Sequence, residues 1–79
     1  MDYLEAALTV LREEAAPLHW TVIQDLALKR GYLDPFTQRE IRKHLLGALA
    51  RAAKDGTVRK ESRGVYALPG EAPDPGTSG

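Results

Sequence analysis

The side chains of this 79-residue chain whose types and spacing could do chemistry are its cations. In "GTVRKESRGVYALPG", residues 56–70, Arg59, Lys60 and Arg63 fall on what reads as two short strands folded about a tight turn. Just before it, Arg39, Arg42, Lys43 and Lys54 are spread along a helical stretch. Arginine can grip a phosphate or the edge of a guanine through two parallel donors, and lysine holds phosphate as a point charge. Both groups are therefore candidates for contact with an anionic polymer. Eleven Lys+Arg balance eleven Asp+Glu, but unevenly along the chain. Residues 1–35 carry three cations and six anions, residues 36–63 eight cations and three anions, and residues 64–79 two anions. A neutral total thus conceals a basic segment, and a partner responds to the local field.

Other chemistry is poorly provided for. Ser62 lies in a turn with no neighbouring base, no Gly-rich phosphate loop is present, and adjacent Glu13 and Glu14 point apart on a helix. His19 and His44 are the only imidazoles, and the chain has no cysteine, so a metal site would need both histidines plus carboxylates on one surface. No enzyme activity, cofactor, metal or small-molecule ligand is expected. Trp20 could stack on a base, but beside Leu18 it reads as a core residue, as does Tyr66.

The elements that must position these cations follow from the apolar spacing. An apolar content of 43% with 28% charged residues is that of a globular chain, and 79 residues suffice for one core. Leu4, Ala7, Leu8 and Leu11 recur at helical spacing, predicting a first helix over 2–14 that "AAP" ends. "PLHW" predicts a brief strand turning Leu18 and Trp20 inward. Thr21 and Gln24 form a capping-box pattern for a second helix, closed by Gly31, and Thr37 and Glu40 form another for a third, running to Asp55 and closed by Gly56. At about 100° per residue, Ile41, Leu45, Ala48, Leu49 and Ala52 share one side of that helix. Arg39, Lys43, Ala50 and Lys54 lie opposite, with Gly47 between the two lysines and Arg42 and Leu46 on a flank. The hairpin follows, with Gly64 in its turn and Val58, Tyr66 and Leu68 on its inner face.

A folded unit over 1–69 is expected, with "GEAPDPGTSG", residues 70–79, as a disordered tail or tether. No apolar run approaches a membrane span, and "MDYLEAA" lacks the basic start of a signal peptide. The expected setting is cytoplasmic, and nucleoid-associated if the partner is DNA. Helix, short strand, helix, helix, hairpin is the order of a winged helix-turn-helix, an α+β fold, mainly α.

"AALTVLREEAAPLHWTVIQDLALKRG" and "TVRKESRGVYAL" resemble the HARE-HTH domain: an amphipathic first helix, a "PLHW"-like entry to the second, and a basic hairpin ending in Gly-x-Tyr-x-Leu. The resemblance covers roughly residues 4–68. Its connector "YLDPFTQRE" is shorter and less rich in Gly and Lys than is usual in that family. The resemblance implies a winged helix of a family proposed to bind DNA and often fused to chromatin, restriction or nuclease modules. A similar domain in the bacterial RNA polymerase delta subunit works alongside the polymerase.

Two readings of the basic face stand beside a plain solvated surface. In the first, the third helix enters the major groove of double-stranded DNA, with Arg39, Arg42 and Lys43 near base edges, Lys54 at its far end, and Arg59, Lys60 and Arg63 on phosphate. In the second, Leu46, Gly47 and Ala50 form an apolar notch that docks RNA polymerase or another transcription protein.

Overall fold

The computed structural model describes residues 1–71. It contains three helices, α1 (Tyr3–Glu14), α2 (Trp20–Lys29) and α3 (Ile41–Asp55), and three short strands, β1 (Leu18–His19), β2 (Arg59–Ser62) and β3 (Val65–Ala67). The fold is α+β and mainly helical. The strands form one antiparallel sheet in the order β1-β3-β2, so the last strand lies between the first and the second. Among the described residues no helix is long and apolar enough to cross a membrane.

Asp2 caps α1 by accepting the Glu5 backbone N–H at 2.7 Å, and Ala15, with φ 53°, ends it. Ala6, Ala7, Val10 and Leu11 form its buried stripe, whereas Leu4 and Leu8 are only half-buried. Ala7 and Leu11 of the expected stripe are thus buried, while Ala6 and Val10 take the places expected for Leu4 and Leu8. The reason is packing: α1 rests against both α2 and α3, and alanines let three helices approach.

Helix α2 starts one residue before the expected Thr21, and the Thr21–Gln24 capping box is absent. Its cap is His19, whose Nδ1 accepts the Thr21 backbone N–H at 3.2 Å. The sheet dictates this start, because β1 pairs Leu18 with Tyr66 and His19 with Val65, and the Trp20 N–H donates to the Gly64 carbonyl at 2.8 Å. Gln24 Oε1 is left buried without a partner. At the far end the Gly31 N–H reaches the Leu28 carbonyl and the Tyr32 N–H the Ala27 carbonyl, the paired bonds of a Schellman motif. Gly31 takes φ 77° there, as the motif requires.

Helix α3 starts at Ile41, not near Thr37, and its Thr37–Glu40 capping box is also absent; Glu40 sits at φ 49° and makes no side-chain cap. Residues 34–38 instead close a turn of their own. Asp34 Oδ1 accepts the Phe36 N–H, its carbonyl accepts the N–H groups of Thr37 and Gln38, and Gln38 Oε1 accepts the Asp34 N–H. Asp followed by Pro is a helix-start signal in its own right, and this one competes with the signal at Thr37. The end of α3 is as expected, with Gly56 at φ 88°.

The core is one cluster, built from Val10 and Leu11 of α1, Ile23 of α2, Leu33 of the connector, Leu45 and Leu49 of α3, and Val58 and Tyr66 of the hairpin. Trp20 is half-buried and packs on its edge. After β3, Pro69–Glu71 make a single 3-10 turn, and residues 72–79 of the expected tail lie outside the described residues.

Candidate functional site

Helix α3 turns Leu45, Ala48, Leu49 and Ala52 into the core, with Ile41, Leu46, Gly47 and Ala53 half-buried at its flanks and the opposite side facing outwards. Arg42, Lys43, Ala50 and Lys54 are all exposed there, as the angular reading anticipates. Lys43 keeps 75% of its side chain in solvent and touches Glu40 only at 3.8 Å. Residues 42–54 carry Arg42, Lys43, Arg51 and Lys54 and not one carboxylate. Arg51 is an addition to the sequence-derived set. It is exposed, and its Nη1 lies 3.4 Å from where a Cβ on Gly47 would stand. The i, i+4 spacing of Gly47 and Arg51 was the available signal, since a glycine leaves room for a long neighbour to lie across the helix.

Of the residues expected to form an apolar notch, Leu46 is half-buried, Gly47 lies under Arg51, and Ala50 is exposed. His44 is exposed and stacks on Tyr3 at 5.0 Å between ring centroids.

Arg39 is displaced from its expected place on the outer stripe of the helix, because α3 begins two residues after it. Its carbonyl accepts the Tyr3 hydroxyl at 3.3 Å, and its exposed side chain lines an open concavity of about 520 Å³ with Phe36 and Ile41. It still lies close to the start of α3, beside Arg42 and Lys43 in sequence.

On the hairpin the three expected cations are not equivalent. Arg59 is half-buried and ion-paired with Glu61, while Lys60 and Arg63 are exposed. The register shifts between Lys60 and Ser62, so Glu61 sits at an irregularity that turns the strand end. Arg63 precedes Gly64, whose φ of 75° makes the tight turn. The imidazole of His19 covers this glycine: its Nε2 is 2.7 Å from where a Cβ would stand. With Nδ1 accepting the Thr21 N–H, the neutral ring carries its proton on Nε2. One histidine therefore both starts α2 and props the turn that carries Arg63.

The acidic half of the molecule is held elsewhere. Glu13 and Glu14, at the end of α1, do not point apart as expected but converge on the Arg30 guanidinium at 2.8 and 2.6 Å, and Glu13 also accepts the Tyr32 hydroxyl. Hydrogen bonding to Glu14 raises the Arg30 pKa, with Glu13 adding to it, and hydrogen bonding to Glu13 raises that of Tyr32. Asp55, accepting from the Thr57 hydroxyl and backbone N–H, is held below its ordinary carboxylate range. Two of the carboxylates are thus occupied at a distance in sequence from the outer face of α3.

Comparison with protein-family models, curated proteins and solved structures gave no significant match.

Proposed function

We propose that this chain is a winged helix-turn-helix module that binds double-stranded DNA, with α3 in the major groove and the β2–β3 hairpin as the wing on the backbone. The element order and the β1-β3-β2 sheet support the winged-helix assignment. The single observation that carries the DNA reading is the outer face of α3, where four cations stand across residues 42–54 with no carboxylate among them. Ala50 keeps that face low, so a phosphate backbone can approach while Arg42, Lys43 and Lys54 reach outwards and Arg51 lies across Gly47. Arg39 meets the duplex from the connector, and Lys60 and Arg63 meet phosphate from the hairpin. Arg59, paired with Glu61, contributes least of the three hairpin cations. Arg42 carries most of the base readout, because it has the bidentate geometry and stands in the first turn of the helix.

The test is a titration of the domain with random duplex DNA across a series of salt concentrations. Four to six phosphate contacts give a slope of log K on log salt of roughly −4 to −5, at about −0.9 per contact. Binding that ignores salt, or no binding, would overturn the reading.

A further inference from the structure

Phe36 is 96% exposed, by far the most exposed large apolar residue among the described residues. It is not on a loose loop. Pro35 restricts the backbone before it, its N–H is tied to Asp34 Oδ1 at 2.8 Å, and Gln38 closes the turn through its bond from the Asp34 N–H. Gln38 also donates through Nε2 to the Met1 carbonyl at 3.2 Å, which anchors the turn to the start of the chain. The ring is thus displayed in water on a backbone already fixed, at the rim of a concavity that it shares with Arg39. Arg42 and Lys43 follow within the first turn of α3. A flat apolar face beside Arg39, in a concavity whose lining also holds the one carboxylate Glu40, matches a ligand that is itself a flat ring attached to an anion.

We infer that Phe36 is a stacking platform for an unstacked nucleobase, with Arg39 taking the adjoining phosphate. This rests on the DNA-binding reading and deepens it: the preferred substrate is a duplex with an unpaired base, whose unstacking cost has already been met. An intact duplex engages the cations alone. A duplex carrying a bulge engages the cations and the ring together.

The experiment compares the wild-type chain with Phe36→Ala and Phe36→Trp on two probes at one salt concentration. One probe is an intact duplex, and the other is the same duplex with a single unpaired 2-aminopurine. Anisotropy reads affinity and the 2-aminopurine emission reads stacking. Phe36→Ala removes an exposed side chain, so its melting curve should overlay that of the wild type. Wild type is expected to favour the bulged duplex by about fivefold or more, the lower end of what one base–aromatic stack contributes. Phe36→Ala should bind both probes alike, within about twofold of wild type on the intact duplex, and lose the emission quenching on the bulge. Phe36→Trp should keep both the preference and the quenching. A wild type without preference, or a preference that survives Phe36→Ala, overturns the inference and leaves the DNA reading standing. A wild type that binds neither probe overturns both.

Discussion

Gly64 and Gly31 both take positive φ, yet they meet different surroundings, and the contrast can be measured. At Gly31, φ is 77° and nothing lies within 4 Å of an added Cβ. Alanine there meets only the left-handed backbone, at a cost of about 1 to 2 kcal/mol. At Gly64, φ is 75° and the added carbon also falls 2.7 Å from His19 Nε2. Gly64→Ala should therefore lower the melting temperature clearly more than Gly31→Ala. Removing the ring with His19→Ala relieves the collision but leaves the backbone strain and deletes the α2 cap, itself worth about 1 kcal/mol. The double variant should thus be less destabilised than the two single losses added together. Equal melting temperatures for Gly31→Ala and Gly64→Ala would mean that the imidazole swings aside at no cost.

Between elements, the ends of α1 and α2 are joined by polar contacts as well as by core. Glu13 and Glu14 receive Arg30, and Glu13 receives Tyr32. The Tyr32 phenol donates to a carboxylate, so folding raises its pKa above the ordinary value of 10.0. A group whose pKa is raised by folding contributes fully below the unfolded value and loses that contribution as pH rises through the folded one. The stability of the wild type should therefore fall above about pH 10 in part through this phenol. In Tyr32→Phe that part of the alkaline loss should vanish, leaving a flatter dependence of melting temperature on pH above about pH 10. Identical alkaline slopes for the two proteins would show that the bond does not persist in solution.

Taken as a whole, the molecule segregates its charge. The carboxylates of the first helix are engaged beside Arg30, and the cations of α3 and the hairpin tip face water. Lys43→Glu and Arg63→Glu each alter an exposed side chain, so stability should change by no more than about 0.5 kcal/mol. On the DNA-binding reading each should weaken every duplex by about 1 kcal/mol or more, since a cation near phosphate is replaced by an anion. Leu46→Ser should leave duplex binding nearly unchanged. Parallel melting and duplex titration of the three variants separates the outcomes: weakening by Leu46→Ser alone would point to an apolar contact, and three silent variants would remove α3 and the hairpin as the functional face.

Local periodicity was enough to read much of this protein. The core side of α3, the end of α3 at Gly56, the hairpin turn at Gly64 and the order of elements follow from spacing and from residues with special backbone freedom. The exposure of Arg42, Lys43, Lys54, Lys60 and Arg63 follows from the same patterns, because a face that is not apolar is left to water. The starts of α2 and α3 were not legible. Each had a capping box in the sequence, and each lost it to a competing bond. At α2 the pairing of β1 with β3 brought His19 to the cap. At α3 the Asp34–Gln38 turn consumed the residues before Ile41 and carried Arg39 off the helix. The pairing of Arg59 with Glu61 and the laying of Arg51 over Gly47 were likewise settled by the geometry of the folded chain. A hydrophobic stripe is repeated over many residues and survives local competition. A cap or an ion pair depends on one or two bonds, so whichever partner the tertiary fold brings nearest decides it.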